Sequence, residues 1–212
     1  MRLFMDIYKE YHNDDILKIL DAINDKYRDY DVMCHGRYHA LFVADTAEYI
    51  LKSLAYDART IELGKIAGLL HDIGCIVGRR KHASMSAAIV SVWLEDSVVL
   101  LPEEKNVIIQ AIKDHSGDKE ISSAVGAAIL FADKIDYSKK RNLTPEPNHR
   151  RYKYLSTIDD VEVNISSKAI TVNYITNDIF SIDKNKYPYS LLISAAKYFG
   201  RTCHFQINGT EV

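Results

Sequence analysis

The stretch Gly68-Leu69-Leu70-His71-Asp72-Ile73-Gly74, "GLLHDIG", closes an apolar run that already includes Ile66 and Ala67. It puts a His–Asp pair at the end of a helix that reads as core-facing. A buried carboxylate without a partner costs several kcal/mol or shifts its pKa until it is neutral. The pair therefore needs a hydrogen-bond network, a salt bridge or a metal.

Working outward, "DARTIELGKIAGLLHDIG" (57–74) reads as a helix with Gly74 as its C-terminal stop. Before it, "HALFVADTAEYILKSLA" (39–55) gathers Ala40, Val43, Ala44, Ala47, Ile50, Leu51 and Leu54 on one face. "DDILKILDAINDKY" (14–27) carries a second helix-period stripe. Downstream, "HASMSAAIVSVWLED" (82–96) is another helix, and Pro102 opens "EEKNVIIQAIKDH" (103–115), with acids in its first turn. "EISSAVGAAILFADKID" (120–136) is small-residue rich and apolar nearly all round, which predicts a central helix.

The texture then changes. "KKRNLTPEPNHRR" (139–151) is a charged, proline-bearing connection. Residues 161–175 alternate and break at Ser166-Ser167-Lys168, a β-hairpin pattern. "KYPYSLLISAAKYF" (186–199) reads as a helix and "TCHFQI" (202–207) as a closing strand. The expected fold is mostly α: a helical bundle over 1–141 and a small α+β appendage (hairpin, helix, strand) over 142–212.

Composition narrows the function classes. The 212 residues are 47% hydrophobic and 26% charged, enough for one sizeable core. A net charge of -2 leaves no global basic footprint, so no nucleic-acid partner is expected. Cys34, Cys75 and Cys203 are odd in number and form no CxxC pair, which fits a reducing compartment. No apolar run approaches the roughly 20 residues that span a membrane. The opening "MRLFMDIYKEYHNDD" has acids and tyrosines where a signal peptide would be apolar. A cytoplasmic protein without a membrane partner is expected.

The candidate ligands are His39, His71, Asp72, His82, His115 and Asp133, each on, beside or at the end of an expected helix. Helix ends in a bundle can converge on one site. Imidazole with carboxylate suits iron, manganese or zinc rather than calcium. An Asp beside a His can bridge two metals, and ions about 3.5–4 Å apart can clamp a phosphoryl displacement. Arg37, Arg80, Lys81 and Lys134 lie next to these residues and are candidate phosphate contacts. His35, four residues before His39, is either a substrate contact, a ligand's partner or part of a loop; it is left open.

The ordered set resembles the HD-superfamily metal-dependent phosphohydrolases. Their pattern of a His, a His–Asp pair and a distal Asp falls on His39 in "RYHALFVADTA", His71-Asp72 in "AGLLHDIG" and Asp133 in "LFADKID". His82 in "RRKHASMSA" and His115 in "AIKDHSG" extend it to the six-ligand, di-metal version. Over residues 35–141 the segments are most similar to the bacterial di-iron hydrolases that cleave diadenosine tetraphosphate symmetrically. Those proteins carry a short helical tail where this chain has its α+β appendage. No Gly-Tyr-Pro motif follows His115, and no two acids follow the His–Asp pair, unlike the cyclic-di-GMP and guanosine-tetraphosphate branches.

The resemblance implies two divalent or trivalent metal ions, iron foremost, with manganese as an alternative and zinc less favoured. Asp72 would bridge them as the catalytic residue. A metal-bound hydroxide would cleave a phosphoanhydride or phosphoester of a nucleotide or dinucleoside polyphosphate. An HD-type di-iron oxygenase and a non-catalytic metal-containing module are the alternatives. The appendage is read as either a homodimer contact or a lid.

Overall fold

The computed structural model of the chain describes residues 7–28, 33–118, 120–143, 157–178 and 181–212. The expected connection over 139–151 lies outside them beyond Leu143. The helices are α1 Tyr8–Tyr11, α2 Asp14–Tyr27, α3 Arg37–Ser53, α4 Ala58–Leu70, α5 His82–Glu95, α6 Pro102–Asp114, α7 Ala124–Ile135 and α8 Tyr189–Tyr198. The strands are β1 Ile158–Ile165, β2 Ala169–Thr176, β3 Thr202–Ile207 and β4 Thr210–Glu211. A mostly helical body with a small C-terminal α+β appendage is therefore present, as the sequence predicts.

Local chemistry sets the boundaries. Asn13 Oδ1 accepts the amides of Asp15 and Ile16, each at 3.0 Å, and starts α2. Ser123 Oγ accepts the Gly126 amide at 3.0 Å, so α7 starts at Ala124 rather than at Glu120. The expected helix 57–74 divides: α4 ends at Leu70, and a separate 3-10 turn covers Ile73–Ile76. The short α1 and β4 were not expected from the sequence.

Close packing fixes the His–Asp pair at that junction. A Cβ on Gly68 would lie 2.8 Å from the Ala44 Cα, so α4 crosses α3 almost backbone to backbone. A Cβ on Gly74 would lie 2.4 Å from the Ser86 amide nitrogen and 2.6 Å from the His82 carbonyl. The Gly74 amide instead donates to Ser86 Oγ at 2.8 Å. The two glycines of "GLLHDIG" thus bring α3 and α5 against either side of the pair.

Helix α7 is the axis of the body. Every residue from Val125 to Ile135 is buried, and α3, α4, α6 and α8 pack on it. Burial of each large apolar side chain there stabilises the fold by about 1.5–3 kcal/mol.

The sheet runs β1-β2-β3-β4. β1/β2 and β3/β4 are antiparallel, while β2/β3 is parallel. A parallel pair needs a crossover, and α8 supplies it. Helix α8 packs on β3 and also on α7, which holds the appendage to the body. Among the described residues, no helix is long and apolar enough to cross a membrane.

Candidate metal centre

Five helices deliver the six expected ligands to one place. His39 lies in the first turn of α3, and His71 and Asp72 follow α4. His82 opens α5, His115 follows α6, and Asp133 lies near the end of α7. His39, His71, Asp72, His115 and Asp133 are buried, and His82 is partly exposed.

The two oxygens of Asp72 face different groups. Oδ2 lies 3.3 Å from His71 Nε2 and 3.5 Å from His39 Nε2. His39 Nε2 is also 3.1 Å from Asp133 Oδ1. Oδ1 lies 3.2 Å from His82 Nε2 and 3.4 Å from His115 Nε2. Asp72 stands between a His39/His71/Asp133 group and a His82/His115 group.

The far nitrogen of each ring is tied to an oxygen. Nδ1 of His71, His82 and His115 lies 2.7, 2.9 and 2.6 Å from the carbonyls of Gly68, Arg79 and Ile112. Nδ1 of His39 lies 2.7 Å from Asp136 Oδ2. A carbonyl or carboxylate oxygen only accepts, so Nδ1 carries the proton and each neutral ring turns an Nε2 lone pair inward. The inward atoms nonetheless crowd together: His71 and His39 Nε2 are 3.2 Å apart, and His82 and His115 Nε2 are 3.0 Å apart. Buried Asp72 Oδ1 has no hydrogen-bond partner among the described residues. Inward lone pairs around ionised carboxylates repel one another unless cations lie among them. The donor set fits divalent metal ions.

The electrostatics agree. Burial opposes the charge on Asp72, but His71 and its neighbouring imidazoles hold its carboxyl well below the usual range. Burial likewise opposes the charge on Asp133, yet Lys134 and His39 hold its carboxyl well below the usual range. Burial disfavours charging His71, but Asp72 outweighs it and raises the pKa.

The expected phosphate contacts divide. Lys134 Nζ sits 2.6 Å from Asp133 Oδ2, at the edge of the cluster. Arg80 and Lys81 are exposed on the turn leading to His82. Arg37 turns away and pairs with Asp21 of α2 at 2.5 Å.

Three residues outside that expected set lie at or behind the cluster. The His35 ring stands edge-on to His39 and His82, at 5.9 and 6.1 Å between centroids, so it flanks both groups. Its own Nδ1 lies 2.7 Å from the Met33 carbonyl. Asp136 orients His39 from outside. Arg141 backs Asp136, donating to the Asp136 carbonyl at 3.0 Å and, from two nitrogens, to the Cys34 carbonyl at 3.1 and 2.9 Å. The spacing of Asp133 and Asp136, three apart on a helix, was the available signal for Asp136.

The profile of the HD domain matches residues 36–164, a span that contains all six clustered residues. The chain belongs to the HD domain family. Curated relatives include ribonuclease Y of Enterococcus faecalis, 30% identical over 127 residues, 58% of this chain and 22% of the relative. Ribonuclease Y of Staphylococcus epidermidis is 30% identical over 153 residues, covering 69% and 26%. This HD domain chain thus spans about a quarter or less of the length of those relatives. Among solved structures, a predicted HD superfamily hydrolase from an uncultured Thermotogales bacterium aligns with TM-score 0.45 and 25% identity, covering 57% of this chain and 67% of that one. The curated relatives are named ribonuclease Y, so the expected likeness to diadenosine tetraphosphate hydrolases is supported only as far as the HD domain.

Proposed function

We propose that this HD domain holds two metal ions and hydrolyses a phosphoanhydride or phosphoester bond of a nucleotide or dinucleoside polyphosphate. The observation that carries this is the division of Asp72: Oδ2 faces His39 and His71, and Oδ1 faces His82 and His115. His39, His71, Asp72 and Asp133 would hold one ion, and Asp72, His82 and His115 the other. When bound, the ions would polarise phosphoryl oxygens and lower the pKa of water.

The chain's own residues do the rest. The Nδ1 contacts fix the tautomer and direction of each imidazole, so no reorganisation is needed when a substrate arrives. Lys134, beside Asp133, adds positive charge at the rim. Exposed Arg80 and Lys81 offer further contacts for phosphate. Arg37 is not carried into this proposal, because Asp21 engages it. Imidazole and carboxylate donors suit iron, manganese or zinc, and the resemblance to di-iron hydrolases puts iron first. The helical body over 1–141 would carry the chemistry, with 142–212 as a separate appendage.

The relatives favour a second substrate reading. They are named ribonuclease Y, so an RNA phosphodiester competes with a small nucleotide, against the sequence expectation of no nucleic-acid partner.

The test is metal analysis of purified protein, followed by a screen of mononucleotides, dinucleoside polyphosphates, cyclic dinucleotides and short RNA. Close to two metals per chain and release of a nucleotide product are expected. Turnover of RNA alone selects the second reading. Oxygen consumption without phosphoester cleavage, or metal binding without any turnover, overturns both.

A further inference from the structure

The appendage reaches the metal cluster at its edge. The first turn of α8 lies on the turn after His115: a Cβ on Gly117, which has φ +79°, would be 2.5 Å from Leu191 Cδ1. On the other side α8 packs along α7, which carries Asp133 and Lys134. Just ahead of α8, the ring of Tyr187 lies over Lys134 Nζ at 5.6 Å to its centroid. That ammonium is buried and sits 2.6 Å from Asp133 Oδ2. Tyr187 itself is 60% exposed. A carboxylate of the cluster, an ammonium and an open aromatic ring therefore follow one another outward from the site.

A lone exposed aromatic needs no explanation. Tyr187 differs because a cation belonging to the site holds its ring. A nucleotide presents a phosphate, a sugar and a flat base in that order. With the phosphate on the His/Asp cluster, the base is carried outward toward the rim, where an aromatic face stacks any base.

We infer that Tyr187 is the base-stacking residue of the substrate site, so the appendage contributes to substrate recognition. This rests on the nucleotide reading above. Lys134 acts through the ring as well as on phosphate, by holding the Tyr187 ring at the rim.

The experiment measures binding by calorimetry with metal-loaded full chain. The probes are two phosphonates that resist hydrolysis: the analogue of AMP with carbon in place of the ester oxygen, and the matching ribose phosphonate without a base. The base should tighten binding to the unaltered protein by roughly ten- to hundredfold, as expected for stacking. Tyr187→Ala should lose that advantage while binding the ribose compound as before, and Tyr187→Phe and Tyr187→Trp should restore it. Metal content and melting temperature of Tyr187→Ala serve as the check that the cluster is intact. The inference is overturned if the two phosphonates bind the unaltered protein equally, or if Tyr187→Ala keeps full affinity for the base-bearing one. Failure of the phosphoester screen sinks the proposed activity separately, since neither phosphonate is turned over.

Discussion

Nδ1 of His39 lies 2.7 Å from Oδ2 of Asp136, a pairing that joins the first turn of α3 to the residue following α7. It fixes which nitrogen of His39 points into the cluster. Carboxylates in this position orient a metal-ligating imidazole, and their loss typically costs about 10–100-fold in metal affinity or activity. Asp136→Ala should weaken metal binding by that order, measured by competition with a chelator. Asp136→Asn, which can still accept from Nδ1, should be milder. Equal affinity in Asp136→Ala and unaltered protein would show that the pairing does not tune the site.

The two faces of Asp72 give separable outcomes. His82→Ala together with His115→Ala should reduce the metal content from about two per chain to about one, because both rings stand on the Oδ1 side of Asp72. Asp72→Ala should reduce both sites at once. Elemental analysis of dialysed protein checks this. If the His82/His115 double variant keeps its full metal content and activity, a mononuclear site replaces the two-ion arrangement.

Packing at Gly74 bears on stability and on metal together. An added Cβ meets the backbone of α5, not a flexible side-chain end. Gly74→Ala should therefore destabilise the chain by about 1–3 kcal/mol and weaken metal binding, since it displaces His82 relative to Asp72. Chemical denaturation and metal titration read the two effects. Gly78→Ala is the control, because no atom lies within 4 Å of a Cβ there.

Acid should act on the start of the helix that carries His71. Asp57 caps α4: it accepts the side chain of Thr60 at 2.7 Å and the amides of Thr60 and Arg59, each at 3.0 Å. The Thr60 hydroxyl and amide bonds hold its carboxyl below its ordinary value of 3.8. Its folded pKa is lower than its unfolded one, so its contribution is fully present above the ordinary value. It is lost as pH falls from there through the folded value. Asp57→Ala should cost about 1 kcal/mol at neutral pH. The gap between variant and unaltered protein should narrow only below pH 3.8. A gap that stays constant down to strongly acidic pH would contradict this account.

Local signals were readable in the sequence and non-local ones were not. Residues 14–27 were expected as a helix and form one, since both periodicity and end chemistry lie within the segment. The six clustered residues were legible because they sit at or near the ends of five helices that the sequence pattern shows. Arg37 was placed at the cluster by adjacency to His39, but residues two apart on a helix face different ways, so it reaches Asp21 instead. Lys134 reaches Asp133, its immediate neighbour, because its long stem curls back. The parallel β2/β3 pairing and the approach of Tyr187 to Lys134 depend on where α8 docks, which no local pattern encodes.

The cluster draws its donors from chain positions as far apart as His39 and Asp133. Ions held there would act as a crosslink, closing long loops that the unfolded chain leaves open. Metal removal should therefore lower the melting temperature and also speed proteolysis across the whole body, not only at exposed loops. In a cell short of metal, the consequence would be a shorter lifetime of the polypeptide itself, so that the supply of the ion sets how much protein persists as well as how active it is.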